Sequence, residues 1–224
     1  MKNQRNSNLL TKMAITTTIL LLMGNNSYGI PLSNEADTTS ADAEKRAMPL
    51  NNIRISGGYT YVTSKLYDQS GGTISNPSGY GLSISYTRLW KTKGSTLERP
   101  RYGGVTITAQ TKQAHSGYDI MTNLVGIGYT WAQKTNKGFA WHYTLGIAYT
   151  HTNDIDCYID NSGFGIFGMA GFDYMLTKHF GIGAFVNPTL CFFSQSKPND
   201  YTINTNVFTG VAHYDIQVAA SWHF

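Results

Sequence analysis

The stretch YDIQVAASWHF, residues 214–224, decides the fold. Tyr214, Ile216, Val218, Ala220, Trp222 and Phe224 alternate with Asp215, Gln217, Ala219, Ser221 and His223. One set is wholly apolar or aromatic; the other is polar except for Ala219. Side chains of an extended chain point to opposite faces with period two, so this pattern predicts a strand between two different environments.

Working back along the chain, the same period recurs. Ile53, Ile55, Gly57, Tyr59 and Tyr61 alternate with Arg54, Ser56, Gly58 and Thr60. Comparable segments run through 80–87, 105–110, 124–131, 141–150, 164–174 and 180–187, which with the last strand makes eight. Stretches rich in turn formers separate them, among them SGGTISNPS (70–78), KTNKG (134–138) and TKH (177–179).

Alternation alone does not say which face meets water. A soluble sandwich or barrel needs a wet face carrying many Lys and Glu. Here charged residues make up 13% of 224 residues, about half the usual share. The lysines, Lys112 among them, fall by this reading in the tail, at strand ends or in connections. The polar face is Gly, Ser, Thr and Ala, which suits a narrow interior; the large apolar face suits lipid. Tyr86, Trp90, Tyr102, Tyr129, Trp131, Trp141 and Trp222 gather at one set of strand ends, and Tyr59, Tyr61, Tyr80, Tyr149, Phe164 and Phe192 at the other. Two aromatic girdles mark the two interfaces of a membrane. The expectation is an all-β protein: an eight-stranded antiparallel up-and-down transmembrane β-barrel over 53–224, both termini periplasmic.

The N-terminus reads as an export signal. Residues 1–12 are polar and basic, 13–23 are an apolar run, and in Ser27-Tyr28-Gly29 the small Ser27 and Gly29 stand at the positions a signal peptidase reads. Eleven apolar residues are too few for a membrane-spanning helix, which takes about 20. Residues 1–29 are therefore expected to be a cleaved signal peptide, and 30–52, rich in Ser, Thr, Ala, Asp and Glu, a flexible periplasmic tail. Lys2, Arg5 and Lys12 supply three of the net charge of +4, so the mature chain is near neutral and has no electrostatic footprint for nucleic acid.

With signal, eight amphipathic strands and the ending YDIQVAASWHF quoted, the chain resembles the small outer-membrane β-barrels of Gram-negative bacteria, the OmpA/OmpX-like superfamily that includes "porin family" proteins. The resemblance implies a cell outer-membrane location, passage through Sec export and the barrel-assembly machinery, and a monomer whose surroundings are outer-membrane lipid and lipopolysaccharide. It also implies that Tyr214, Ile216, Val218, Trp222 and Phe224 form the assembly signal. The connection KTKGSTLERPR (91–101) departs from the family's tight periplasmic turns.

Candidate chemistry is sparse, and no catalytic, cofactor or metal set is assigned. Asp154, Asp156 and Asp160 in the third outer loop offer carboxylates to a divalent cation but lack the spacing of a calcium loop. His151, with outward parity, and the nearby Ser162 invite comparison with lipid A deacylases, though no acid at a convincing spacing completes a triad. By parity Arg54, His142, Asp173, His213, His223 and Asp215 face inward and are expected to form a polar lumen network. Arg54 and Asp215 are the expected pair, because first and last strands adjoin on closure. Phe167, Met169 and Phe185 also face inward, as packing or as an acyl pocket. Cys157 and Cys191 are a candidate disulfide. The leading functional expectation is a non-enzymatic barrel serving envelope integrity or surface interaction. The alternatives are a narrow pore or small hydrophobic-solute barrel, and a lipid A-modifying enzyme.

Overall fold

The computed structural model describes residues 48–63, 66–67, 73–74, 77–93, 95, 100–115, 119–135, 138–154, 160–197 and 205–224. The expected signal segment, most of the tail, Asp156 and Cys157 lie outside the described residues. The strands are β1 (Asn51–Val62), β2 (Leu66–Tyr67), β3 (Thr73–Ile74), β4 (Ser78–Lys91), β5 (Arg101–His115), β6 (Asp119–Lys134), β7 (Phe139–Asp154), β8 (Asp160–Met175), β9 (Phe180–Lys197) and β10 (Thr205–His223). Eight of them close a barrel in the order β1-β10-β9-β8-β7-β6-β5-β4, and β2 and β3 form a separate two-residue ribbon. Every pairing is antiparallel, and no helix occurs among the described residues.

Closure removes the free edges that an open sheet exposes. At the seam Asn51 N donates to Phe224 O at 3.0 Å, and Phe224 N donates to Asn51 O at 2.9 Å. The β6–β7 turn ends at Gly138, whose φ of 83° lies where a Cβ is disfavoured. The β8–β9 turn is held by Thr177, whose hydroxyl accepts from His179 N at 3.2 Å and Phe180 N at 3.0 Å.

The exterior is the apolar face of every strand. Ile55, Leu82, Ile147, Ile216 and Val218 are each at least 60% exposed. Soluble monomers rarely expose a contiguous apolar patch beyond a few hundred Å². A belt that runs right round the barrel is a lipid-facing surface, and the strands cross a membrane.

Two boundaries differ from the sequence reading. β1 starts at Asn51, and Met48 ahead of it is already buried, its N–H donating to Tyr102 Oη at 3.0 Å. Strands reach 19 residues, longer than alternation marks out. At these ends the outward residues are no longer uniformly apolar, as at Thr111 and Gln113 of β5, so the period-two signal stops before the hydrogen bonding does.

Candidate functional site: a filled and layered lumen

An eight-stranded barrel leaves an interior just wide enough for side chains. Here those side chains form layers. At the end away from the chain's Asn51–Phe224 seam Val62, Ala114, Ile120, Cys191 and Val211 pack as an apolar cap. Beneath it Lys112 Nζ lies 2.8 Å from Asp215 Oδ2 and donates to Thr189 Oγ1 at 3.0 Å. Thr60 Oγ1 donates to the other Asp215 oxygen. His213 is buried in register with Val62 and Thr189, and neither ring nitrogen has a hydrogen-bond partner among the described residues.

The middle is neutral. Gln217 Oε1 accepts from Ser56 at 2.6 Å, Ser83 at 3.2 Å and Asn187 Nδ2 at 2.7 Å. On the far wall the hydroxyls of Thr87, Thr106, Thr130 and Thr144 form a chain across four strands. Phe167 packs with Leu124 and Ala148, and Phe185 with Met169 and Ala219. The inward Phe167, Met169 and Phe185 are thus packed against neighbours.

Towards the end where β1 begins, Arg54 Nη2 donates to Asp173 Oδ2 at 2.7 Å, and the guanidinium lies 4.0 Å from the Phe185 ring centroid. His142 Nε2 is 3.1 Å and His223 Nε2 is 3.9 Å from the same carboxylate oxygen. Asn52 Nδ2 contacts the His223 ring at 3.0 Å. Below this layer Met48, Leu89, Tyr102, Ala132 and Ala140 form a second apolar cap. Both ion pairs are therefore enclosed, where a charge is tolerated only with a partner and full hydrogen bonding.

No family model and no curated protein matches the chain. Among solved structures the chain is similar to Neisserial surface protein A, at 10% identity and a TM-score of 0.53, over 80% of this chain and 99% of that one. The fold is that of a small outer-membrane β-barrel. Looser likenesses are the outer membrane protein OprG of Pseudomonas aeruginosa (17% identity, TM-score 0.42, 79% and 98% covered) and Ail of Yersinia pestis (14%, 0.38, 78% and 99%).

This outer-membrane barrel corrects the expected Arg54–Asp215 pair. The two residues do share a wall, but Asp215 stands opposite Thr60, while Arg54 stands opposite Ser221. Six residues of strand separate them, about 20 Å. Arg54 crosses the lumen to Asp173 on β8 instead, and Asp215 takes Lys112 from β5. Lys112 is not at a strand end or in a connection, as its sequence position suggests, but inside the lumen. β5 continues to His115, and its last turns alternate between buried Lys112 and Ala114 and exposed Thr111 and Gln113, without a hydrophobic signal. Tyr102 is likewise not in the girdle: its parity turns it inward, and it is 2% exposed.

Other residues fall as follows. His142, Asp173, His213, His223 and Asp215 are all buried in the lumen. Tyr214, Ile216, Val218 and Trp222 form an exposed outward stripe on β10, with Phe224 just beyond it. Cys191 is a buried free thiol, and its candidate partner Cys157 lies outside the described residues. His151 and Ser162 are register partners on β7 and β8, and His151 Nδ1 is 3.0 Å from Ser162 Oγ.

Proposed function

We propose that the protein is a non-conducting outer-membrane barrel that acts through its exterior and its loop ends, in envelope integrity or surface interaction. The observation that carries this reading is the lumen closed by an apolar cap at each end, with two ion pairs between. A hydrated ion would have to part both caps and break at least one buried pair, and stranding a charge in this way costs several kcal/mol. A filled lumen also leaves little room for a solute, which counts against the narrow-pore and solute-transport alternatives. Export by Sec, insertion by the barrel-assembly machinery and a monomeric state in lipid and lipopolysaccharide complete the proposal.

The test is single-channel recording of the refolded protein in planar bilayers. Brief, small openings at most are expected. Stable steps like those of a 16-stranded porin would overturn the proposal. Loss of the gene should raise sensitivity to detergents and bile salts, with no change in uptake of small solutes.

One observation favours a second reading. The Ser162 hydroxyl and the His151 ring are hydrogen-bonded on the outward surface, beside Tyr149 and Phe164. A serine on a histidine is the core of an acyl-transfer nucleophile. Mass spectrometry of lipid A from cells with and without the gene tests it. An acyl difference abolished by both His151→Ala and Ser162→Ala establishes the enzyme; identical lipid A removes it.

A further inference from the structure

The lipid-facing wall of β4 to β7 differs from the rest of the belt at the end where β1 begins and β10 finishes. Strand register sets outward side chains in rows. Arg88, Val105, Tyr129 and Leu145 stand side by side in one row, and Trp90, Gly103, Trp131 and Tyr143 in the next. Arg101 projects outward one step further towards that end. Arg88 and Arg101 are both exposed, and neither has an acidic partner among the described residues. At the corresponding outward positions β8, β9 and β10 carry Phe172, Tyr174, Phe180 and Trp222 instead of arginine.

Between the arginines lies an aromatic cradle. The Tyr129 ring packs edge-on against Trp90 at 6.1 Å and against Trp131 at 4.7 Å. Gly103 makes this possible, because a Cβ there would lie 3.0 Å from Tyr129 Cζ and meet the hydroxyl more closely still. From Tyr129 a groove of about 290 Å³ continues into the apolar belt, walled by Val105, Ile127, Leu145 and Ile147. Its floor is the backbone of Gly128 and Gly146, which pair across β6 and β7.

We propose that this wall binds one anionic phospholipid of the leaflet at that end of the barrel. The phosphate sits between Arg88 and Arg101, whose guanidinium forks match phosphate oxygens. The cradle lies at the level of the ester and headgroup region, where Trp and Tyr reside in membranes. One acyl chain lies in the groove. A second copy of the chain is disfavoured here, because a two-fold contact through this face would bring four arginines into one interface with no acidic partner among the described residues. An arginine on either side of an amphipathic collar, with an apolar trough leading away from it, matches the phosphate, ester region and tail of a phospholipid.

Native mass spectrometry of the mature protein in detergent, with phosphatidylglycerol or phosphatidylcholine of identical chains, tests the site. One phosphatidylglycerol should be retained in preference to phosphatidylcholine. Arg88→Gln combined with Arg101→Gln should weaken phosphatidylglycerol by roughly thirtyfold, the product of two cations beside an anionic headgroup. Val105→Trp, which fills the groove and keeps both arginines, should weaken both lipids alike. Lys178→Gln, in the β8–β9 turn of the opposite wall, should leave both unchanged. The proposal is overturned if the double arginine variant holds phosphatidylglycerol as the wild type does. It is equally overturned if Lys178→Gln loses as much, or if the wild type takes up several lipids of either kind with equal affinity.

Discussion

Replacing Asp173 by Asn tests whether the charge layer near the β1 end holds the barrel together. Asp173 is fully buried and receives Arg54 Nη2 at 2.7 Å, with His142 Nε2 at 3.1 Å. The amide keeps the shape and removes the charge. Arg54, itself 2% exposed, is then left with the Phe185 ring at 4.0 Å and the Met169 sulfur at 3.6 Å. Removing one member of a buried pair costs about 3–5 kcal/mol, because the other charge is stranded. The retained cation–π contact returns at most about 2 kcal/mol of that. With a urea dependence of about 1–3 kcal/mol per molar, the remaining loss of at least about 1 kcal/mol should lower the midpoint for unfolding from lipid vesicles by at least roughly 0.3 M, and by more where the cation–π contact returns less. Joint replacement Arg54→Met with Asp173→Leu should recover most of the loss, since apolar residues of similar volume commonly replace buried pairs at little cost. An Asp173→Asn midpoint within experimental error of wild type would refute the reasoning. A double variant as weak as the single one would show that packing, not the stranded charge, sets the effect.

Three further outcomes are expected. Ile147→Arg, at an outward position 67% exposed and midway along β7, should destabilise the inserted barrel by about 2–4 kcal/mol, whereas the same change at the rim residue Gln133 should be nearly neutral; equal effects in vesicle unfolding would contradict the lipid-facing assignment. Gly126→Val forces a Cβ to within 2.6 Å of Phe167 Cε1 and 2.8 Å of the Ile147 carbonyl oxygen, and should cost about 1–3 kcal/mol in the same assay. In a Cys157→Ser background the buried Cys191 thiol should resist maleimide in the folded barrel and react on unfolding; rapid labelling of folded protein would mean that the apolar cap around Cys191 is open.

Strand number, phase and facing were legible in the sequence, because each depends only on neighbours along the chain. Ile216 and Asp215 take opposite faces as a matter of backbone geometry, and the apolar composition of one face identifies lipid. The inward parity of Arg54, His142, Asp173, His213 and Asp215 follows in the same way. Their partners do not. Arg54 and Asp173 are 119 residues apart, and which side chain crosses a lumen to which depends on the stagger of strands when the sheet closes. Alternation fixes the face of a residue but not its height in the barrel, so adjacency of β1 and β10 suggested Arg54 with Asp215 while the register set them about 20 Å apart. Lys112 and Tyr102 were hidden for a related reason. Both stand where the strand outruns the apolar belt, and there a lysine or tyrosine reads as a rim residue until the fold turns it inward. The arginine and aromatic rows across β4 to β7 needed the register as well, since Arg88, Tyr129 and Leu145 become neighbours only through backbone hydrogen bonds between strands. Face is a property of the chain; height and partner are properties of the closed sheet.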